Sequence, residues 1–392
     1  MLSYIEAQHI IKSFAHSFGK ENALLDDALG RVIAEDVFAD RDYPPFNRSA
    51  MDGYAIRAED LKNGINTFEI VDAIYAGGTT EKDLSSGQCY KIMTGAAVPI
   101  SANAVIRKED AEQNESAVSF LINEINPFQN IARRGEDLKK SDLVLNKSIR
   151  CNAAITGLLA SVGKDEVLVE SLPTVAVVTT GNEVMQLGKE VNDVQIRNSN
   201  FYVLKSLLES WNIKPSYHQH APDDPPKILS ILEKALQFDV VIINGGVSAG
   251  EADYVPSVLQ QLGVKQLLHK VAIRPGKPFW CGHKEQTIVF ALPGNPLSCL
   301  VTFTLFIRHY LENCFGLASS LLSLPIADER KQRVKLDEFF PVQIKGNPSQ
   351  FYSIPFNGSG DIRLGFEANA FAIHSADKPE LKKGEVISSY LS

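Results

Sequence analysis

A glycine-rich segment, residues 239–254, carries residue types suited to binding a phosphate group. It begins with the apolar run 240–243, which is typical of a strand buried on both faces. Gly245 and Gly246 then permit a sharp turn whose free N–H groups converge on one point, which suits a phosphate. Two carboxylates follow, the second being Asp253, and they would repel a phosphate unless a hard cation such as Mg²⁺ lay between them. The alternative interpretation is an ordinary turn between a strand and a helix, with solvated acids.

Further polar residues lie in the loop at residues 43–55 and in two later turns. Adjacent prolines fix the start of this loop as extended, and Ser49 and Asp52 lie among other polar side chains between aromatic residues. Thr94 brings a hydroxyl group to a turn of small residues. We expect the loop to take part in binding, because loops on a rigid scaffold are where binding residues collect. Residues 133–137 place two cations and two anions around a glycine, a pattern equally typical of a solvated surface.

The composition excludes several classes of protein. A chain of 392 residues with 44% hydrophobic and 22% charged residues is expected to form two to four soluble domains. Its net charge of −8 argues against a broad surface for nucleic acid or anionic membranes, so neither is expected as a partner. The five cysteines include no CxxC pair, which indicates buried thiols in a reducing compartment. No signal-type segment or run of membrane-spanning length is visible, and we therefore expect a cytoplasmic protein.

The pattern of apolar residues predicts a multidomain protein of the α/β plus β class. Short alternating runs indicate an inserted all-β domain, and the alternation of strands and helices after Pro173 predicts a parallel, three-layer α/β domain. Short β-like runs at the end of the chain predict a small C-terminal β domain. The expected boundaries are 1–43 with 142–172 for a discontinuous N-terminal linker and dimerisation domain, 44–141 for the inserted β domain, 173–322 for the α/β domain and 323–392 for the C-terminal domain.

Polar and glycine-containing segments follow the predicted strands of the α/β domain. In open α/β sheets the ligand lies at the carboxyl ends of the strands, so these segments are expected to converge on one site. They are residues 180–183, Asp223, residues 245–253, residues 274–277 and residues 293–296. The strand expected before residues 274–277 runs from Lys270 to Arg274.

Eight motifs give the chain a family resemblance. NRSAMDGYA, MTGAAVP, RRGEDL, TTGNE, NGGVSAGEADY, RPGKP, LPGNP and NGSG occur in this order and span nearly the whole chain. In these motifs the sequence resembles the molybdopterin molybdenumtransferase family, which includes the E domain of gephyrin. The resemblance implies an elongated homodimer in which the molybdopterin-binding α/β domain faces the β domains of the partner. It also implies insertion of molybdenum from molybdate into adenylylated molybdopterin with Mg²⁺, releasing AMP and molybdenum cofactor, with the adenylyltransferase that supplies the substrate as a possible partner.

The residue types agree with this chemistry. Cleaving a phosphoanhydride requires a metal to offset phosphate charge, and the hard ligands expected for it are Glu183, Asp223 and Asp253. Cations expected to neutralise pyrophosphate or molybdate oxygens are Lys270, Arg274 and Lys277. The resemblance further implies that Asp52 and Thr94 are needed for turnover at molybdate or the pterin dithiolene, and that Asp137 orders that loop.

The remaining expected site residues bind substrate through backbone or small polar groups. They are Ser49, Thr180, Gly181, Gly245, Gly246, Ser248, Pro293, Asn295, Pro296 and Ser359, and Glu183 is expected in the catalytic set as well as at the metal.

The chain departs from the family pattern at three positions. Ala132 replaces a common arginine, Arg274 occupies a lysine position of the RPGKP motif, and Asn182 replaces a common aspartate. Arg134 lies on the same side of an extended segment as position 132, so we expect it to contact Asp137 in place of the missing arginine.

Two other functions fit part of the sequence. The adenylyltransferase that makes adenylylated molybdopterin resembles the α/β domain alone, but it would not account for the inserted and C-terminal β domains. The second is a non-catalytic molybdopterin-binding scaffold, which resembles the non-catalytic use of the gephyrin E domain. A scaffold would not require intact Asp52, Thr94, Glu183 and Asp253, so their presence favours an enzyme.

Overall fold

The computed structural model describes residues 1–247, 253–319, 321–332, 334–363 and 367–391, so the predicted site residue Ser248 lies outside the described residues. The chain divides into two compact units. Unit 1 consists of Met1–Ala34, Ser148–Ala153 and Glu166–Ser392, and unit 2 consists of Glu35–Lys147 and Ala154–Asp165. Across the part of the chain that is described, the helices are too short or too polar for any of them to cross a membrane.

Unit 1 begins with a helix whose start is fixed by its own side chains. The Ser3 hydroxyl accepts a hydrogen bond from the Glu6 N–H, and the Glu6 carboxylate accepts one from the Ser3 N–H at 2.8 Å. This reciprocal pair satisfies N–H groups that have no partner within the helix. The first elements of unit 1 are α1 (Tyr4–Lys12), β1 (Lys20–Leu24) and β2 (Val32–Ile33).

Unit 2 is built mainly from strands, as the short alternating runs predict. Its elements are β3 (Val37–Phe38), β4 (Arg48–Ser49), β5 (Gly53–Ile56), α2 (Ala58–Lys62), β6 (Thr67–Ile74), β7 (Gln88–Ile92), β8 (Ala104–Arg107), β9 (Ala111–Gln113), β10 (Ala117–Phe120), β11 (Ile131–Ala132) and β12 (Leu143–Leu145). Six of the strands form a sheet in the order β8-β5-β7-β6-β10-β9. Apolar side chains such as Tyr54, Phe68 and Ile106 are buried in its core.

After this insertion the chain returns to the first sheet of unit 1. The connecting elements are β13 (Ile149–Arg150), α3 (Ala153–Ser161) and β14 (Glu166–Glu170). Strand β14 pairs antiparallel with β1, from Lys20 opposite Glu170 to Leu24 opposite Glu166. The sheet order is β1-β14-β2-β13, so strands from either side of the insertion alternate in it.

The α/β part of unit 1 confirms the predicted three-layer arrangement. Its elements are β15 (Val175–Thr180), β16 (Val184–Met185), β17 (Ile196–Arg197), α4 (Ser199–Glu209), β18 (Tyr217–Ala221), α5 (Pro225–Ala235), β19 (Val240–Asn244), α6 (Val255–Gln261), β20 (Lys265–His269), β21 (Ile273–Arg274), β22 (Trp280–Lys284), β23 (Thr287–Leu292), α7 (Pro296–Thr302) and α8 (Arg308–Cys314). Within β15, Val175 and Val177 pack in the core with α4, whereas Ala176 and Val178 pack in a second core with α5 and α6. Alternate residues of a strand face opposite sides of a sheet, so helices cover both faces.

The sheet is mixed, and the expectation of an entirely parallel sheet is wrong. Its order is β18-β15-β19-β23-β22-β20, with parallel pairing from β18 to β23 and antiparallel pairing of β22 with both its neighbours. Only residues 285–286 connect β22 to β23, and Glu285 takes a φ of 53°. A connection this short can join only antiparallel strands, because a parallel pair requires a long crossover.

The predicted strand from Lys270 to Arg274 is also wrong. Lys270 follows the end of β20 and has a φ of 66°, and its N–H donates to the Phe279 carbonyl. The short strand β21 pairs in parallel with a strand of the C-terminal sheet, placing Arg274 opposite Glu338. The sequence had indicated that Arg274 lies at the end of a strand of the α/β sheet. In the structure it instead belongs to a short strand that pairs with the C-terminal sheet.

The predicted C-terminal β structure is confirmed. Its strands are β24 (Leu322–Pro325), β25 (Arg330–Lys331), β26 (Asp337–Lys345), β27 (Gln350–Ser353), β28 (Ala370–His374), β29 (Glu380–Leu381) and β30 (Val386–Leu391). The main sheet has the order β21-β26-β28-β30-β24, with β27 paired to β26. Phe340, Val342 and Phe351 are buried in its core.

Candidate active site

A cavity of about 1240 Å³ in unit 1 contains most of the predicted site residues. It lies at the carboxyl ends of β15, β18, β19 and β23, where the sequence predicts the ligand, and the C-terminal sheet contributes further wall residues. The predicted residues that line it are Thr180, Gly181, Glu183, Asp223, Gly245, Gly246, Asp253, Arg274, Lys277, Pro293, Asn295, Pro296 and Ser359. Lys270 does not line this cavity.

The glycine turn after β19 has no space for side chains. Gly245 has a φ of 98° and Gly246 a φ of 68°, in the left-handed region that L side chains rarely adopt. A Cβ atom on Gly245 would lie 2.6 Å from the Thr180 Oγ1 atom and 3.1 Å from the Thr180 carbonyl oxygen. The backbone of the turn therefore packs directly against β15. The Gly245 N–H donates to the Leu292 carbonyl at 3.0 Å, so the predicted contact with a phosphate falls to the N–H of Gly246 and not to that of Gly245.

Gly245→Ala is expected to lower the free energy of unfolding by about 2 kcal/mol, combining backbone strain with the contact against Thr180. Chemical denaturation measures the change. Gly263→Ala is the matched control, because Gly263 has a φ of 81° and nothing within 4 Å of its Cβ position. The control should show the strain alone. Equal losses in the two variants would show that the contact with Thr180 contributes nothing.

Two neighbouring strand ends are tied together by reciprocal hydrogen bonds. The Asn182 N–H donates to the Asp223 Oδ2 atom, and the Asp223 N–H donates to the Asn182 Oδ1 atom, both at 3.1 Å. An aspartate at position 182 could accept the same bond, but it would bring a second carboxylate against Asp223. The asparagine keeps the connection between the turns without that repulsion.

The carboxylates predicted to bind a metal share the cavity wall without forming a complete cluster. Glu183, Asp223 and Asp253 all line the cavity. In the described ranges, no three histidine, cysteine, aspartate or glutamate side chains come together as a metal site. Mg²⁺ is commonly held by one or two carboxylates, with water and substrate phosphates completing its shell. These oxygen donors beside the glycine turn fit that kind of site and do not fit a closed site made only of protein ligands.

Arg274 is accompanied by a buried acid that the sequence analysis did not identify. The Glu338 side chain is 3% exposed, and its carboxylate lies 3.0 Å from the Arg330 guanidinium and 3.9 Å from Arg274 Nε. The cavity wall includes Glu338 as well as Arg274. The pairing of β21 with β26 brings these residues together, so only knowledge of the strand register could have revealed the contact.

The C-terminal sheet region supplies a second contact to the cavity. Asn295 Nδ2 donates to Ser359 Oγ at 2.7 Å, and the Leu297 N–H donates to the Ser359 carbonyl at 3.0 Å. These bonds attach the NGSG turn to the start of α7. They place the predicted residues Asn295 and Ser359 side by side.

Asp52 and Thr94 form a hydrogen-bonded pair in unit 2. The Thr94 N–H and hydroxyl both donate to the Asp52 Oδ1 atom at 2.8 Å, and Lys108 Nζ lies 3.7 Å from Oδ2. The hydrogen bonds from Thr94, with a smaller effect of Lys108, lower the pKa of the Asp52 carboxyl. The side chain of Asp52 is 41% exposed, so an ionised carboxylate is presented to solvent. Ser49, in contrast, is fully buried, and its hydroxyl donates to the Met51 carbonyl.

Arg134 does not replace the missing arginine in the predicted way. Its Nε atom donates to Asp42 at 2.7 Å, and its N–H donates to Asn47 Oδ1. The expected contact with Asp137 is therefore wrong. The expectation assumed an extended segment, but β11 ends at Ala132 and the chain then turns at Gly135, which has a φ of 70°. The N–H of Asp137 donates to the Tyr43 carbonyl, which fixes the backbone of this turn.

Two family models match consecutive parts of the chain. The model described as the MoeA N-terminal region (domain I and II) matches residues 2–163. The model described as a probable molybdopterin binding domain matches residues 176–313. The second match includes the glycine turn and the four strands whose carboxyl ends border the cavity.

Individual proteins and one solved structure are similar to this chain over nearly its whole length. The molybdopterin molybdenumtransferase of Staphylococcus epidermidis (strain ATCC 35984) is 32% identical over 382 residues, covering 95% of this chain and 91% of the relative. That of Haemophilus influenzae is 32% identical over 373 residues, covering 93% and 92%. The crystal structure of a molybdopterin biosynthesis moeA protein from Pyrococcus horikoshii OT3 aligns with a TM-score of 0.85 and 29% identity over 100% of both chains.

Proposed function

The chain belongs to the molybdopterin molybdenumtransferase family, and from this premise we propose that it inserts molybdenum from molybdate into adenylylated molybdopterin, releasing AMP and molybdenum cofactor. The observation that carries the proposal is one cavity that combines a phosphate-binding turn, carboxylates and cations. Gly245 and Gly246 lie in its wall with Glu183, Arg274 and Lys277. A substrate with a phosphoanhydride needs all three kinds of group.

Mg²⁺ is the cofactor that we propose for this site. One or two of Glu183, Asp223 and Asp253 would hold it, and the substrate phosphates would complete its coordination. When bound, the ion would offset the charge that develops on the phosphate oxygens as the phosphoanhydride is cleaved. The N–H of Gly246 would orient the phosphates, and Arg274 and Lys277 would neutralise oxygens of pyrophosphate or molybdate.

A homodimer with an active site shared between subunits is the second part of the proposal. The cavity belongs to unit 1, whereas Asp52 and Thr94 belong to unit 2. Helix α3 supports association between copies, because it contains no charged residue and only Leu159 is fully buried in it. Exposed apolar surface of this kind is typical of protein contacts.

Mixing two inactive variants tests the shared site. Asp52→Ala and Asp253→Ala proteins, each inactive alone, should regain part of the wild-type activity when their subunits exchange, because hybrid dimers would contain one intact site. AMP release after mixing measures the recovery, and each variant exchanged with itself is the control. Proven exchange without recovery would contradict a site formed by two chains.

The adenylyltransferase and scaffold alternatives predict different nucleotide chemistry. The proposed transferase releases AMP from adenylylated molybdopterin when molybdate is present, and it consumes no ATP. An adenylyltransferase would consume ATP, and a scaffold would bind the pterin without AMP release. Measuring ATP and AMP in the same reaction therefore distinguishes all three functions.

We place the protein in the cytoplasm, where the adenylyltransferase that supplies the substrate would be its partner. All five cysteines are buried, as the sequence predicts, and they form no disulfide with one another; burial raises the pKa of the Cys89 thiol to about 12. Buried thiols that form no disulfides agree with a reducing compartment. Measuring the distribution between soluble and membrane fractions of the cells that produce it tests this location.

A further inference from the structure

A short chain of side-chain amides connects three elements at the cavity. Asn244, the last residue of β19, donates from Nδ2 to the Pro293 carbonyl at 2.9 Å. Its Oδ1 atom accepts a hydrogen bond of 2.8 Å from Nδ2 of Asn200, in the first turn of α4. The same Asn200 nitrogen also donates to the Gly294 carbonyl at 2.6 Å. The two asparagines thus join the glycine turn, the PGNP turn and the start of α4.

Backbone carbonyls determine the orientation of both amides. A carbonyl only accepts hydrogen bonds, so Asn244 must present its nitrogen to Pro293 and its oxygen to Asn200. Asn200 is then bound by two acceptors, Asn244 Oδ1 and the Gly294 carbonyl, and must present its nitrogen to both. Its oxygen is consequently left as an acceptor facing away from them, and this arrangement cannot be reversed by flipping the amide.

Among the residues that the structure describes, none donates a hydrogen bond to the side-chain oxygen of Asn200. The residue is 8% exposed and lies in the cavity wall, and its Oδ1 atom is buried without a donor. The Thr180 hydroxyl in the same wall is also buried and has no hydrogen-bond partner within the described ranges, and the residue is 5% exposed. Buried polar groups are nearly always satisfied, and exceptions require an explanation such as a ligand. The threonine can donate or accept, whereas Asn200 can only accept at this position.

We infer that Asn200 determines specificity by accepting a hydrogen bond from an N–H or O–H group of the bound substrate. This inference rests on the proposed function and deepens it. The two bridged phosphates of adenylylated molybdopterin and the molybdate ion are fully ionised at neutral pH, so their oxygens have no proton to donate to this atom. The donor belongs to the organic part of adenylylated molybdopterin, either its pterin ring or its nucleoside. Asn200 therefore recognises the organic part of the ligand, whereas the glycine turn would contact only its phosphates.

Comparing three ligands in two variants tests this assignment. Calorimetric titration gives the Kd of adenylylated molybdopterin, AMP and inorganic pyrophosphate for the wild-type protein, Asn200→Ala and Asn244→Ala. Asn200→Ala removes both the connection between turns and the ligand contact, whereas Asn244→Ala disturbs only the connection. Thermal unfolding establishes that each variant is folded, and Asn200→Ser replaces Asn200→Ala if the alanine variant is not.

Asn200→Ala should raise the Kd of adenylylated molybdopterin by a factor about tenfold larger than the factor by which it raises the Kd of pyrophosphate. A tenfold difference is what the loss of one hydrogen bond is expected to cause. Asn244→Ala should raise the Kd of both ligands by the same factor. A disproportionate loss for AMP as well assigns the donor to the nucleoside, and its absence assigns the donor to the pterin. Parallel losses for both ligands in Asn200→Ala, or no loss, would overturn the inference. Failure of the wild-type protein to bind adenylylated molybdopterin would instead overturn the proposed function.

Discussion

Asp52→Ala is expected to lower kcat for molybdenum insertion by about a hundredfold or more, the range typical of losing a positioned carboxylate at a reacting centre. The contacts of this carboxylate fix its orientation, because both hydrogen bonds from Thr94 converge on one oxygen and Lys108 lies near the other. The free energy of unfolding should fall only modestly, because the two hydrogen bonds from Thr94 are lost but the carboxylate is exposed and its ion pair with Lys108 is long. Single-turnover measurement of AMP release gives the rate.

Thr94→Val is the matched comparison for Asp52. It removes the hydroxyl that donates to Asp52 but leaves the backbone N–H donor and the carboxylate in place. We expect an intermediate loss of rate. Wild-type rates in the Asp52 variant would exclude this carboxylate from turnover.

The lowered pKa of Asp52 sets the sign of the pH dependence. Because the folded protein favours the ionised form, stability from the Thr94 hydrogen bonds is present above the ordinary pKa of 3.8 and is lost as the pH falls through the lower folded value. Loss of activity between pH 5 and 8 therefore cannot be assigned to protonation of Asp52.

Asp253→Ala is expected to reduce AMP release by about a hundredfold or more while the protein remains folded, because removing a metal ligand costs several kcal/mol of transition-state stabilisation. Asp253 lies in the cavity wall and follows the glycine turn by several residues in the sequence. The variant should also require a higher Mg²⁺ concentration for half-maximal rate. Titration of AMP release with Mg²⁺ measures both effects.

Asp224→Ala is the control for removing a carboxylate near this site. Asp224 accepts a hydrogen bond from the Lys227 N–H at the start of α5 and does not line the cavity. Its loss should lower the free energy of unfolding by about 1 kcal/mol without changing the Mg²⁺ dependence. A Mg²⁺ dependence in Asp253→Ala equal to that of the wild-type protein would contradict the metal-ligand role.

Features encoded by neighbouring residues could be predicted from the sequence. The apolar run before Gly245 predicts a buried strand, and two glycines after it predict a turn that the structure confirms. Ser3 and Glu6 likewise form the cap of α1 through local contacts. The antiparallel β22 was missed because its pairing depends on a short connection that resembles the other loops in composition. Lys270 was assigned to a strand because a lysine gives no indication in the sequence that its backbone is left-handed.

Features that depend on register or on distant contacts could not be predicted. Glu338 reaches the cavity only because β26 pairs with β21, although the two strands are more than 60 residues apart. Asn200 becomes informative only when its contacts with Asn244 and Gly294 are known. Arg134 was expected near Asp137 on the assumption of an extended segment, and the turn at Gly135 directs it to Asp42 instead.

The most direct test of the proposed activity is to count molybdenum and AMP in the same single turnover. Purified protein is supplied with adenylylated molybdopterin, labelled molybdate and Mg²⁺, without ATP. The proposed activity predicts one molybdenum bound to the pterin for each AMP released, and no AMP when molybdate is omitted. AMP release that does not depend on molybdate, or tight binding of the pterin without AMP release, would contradict it.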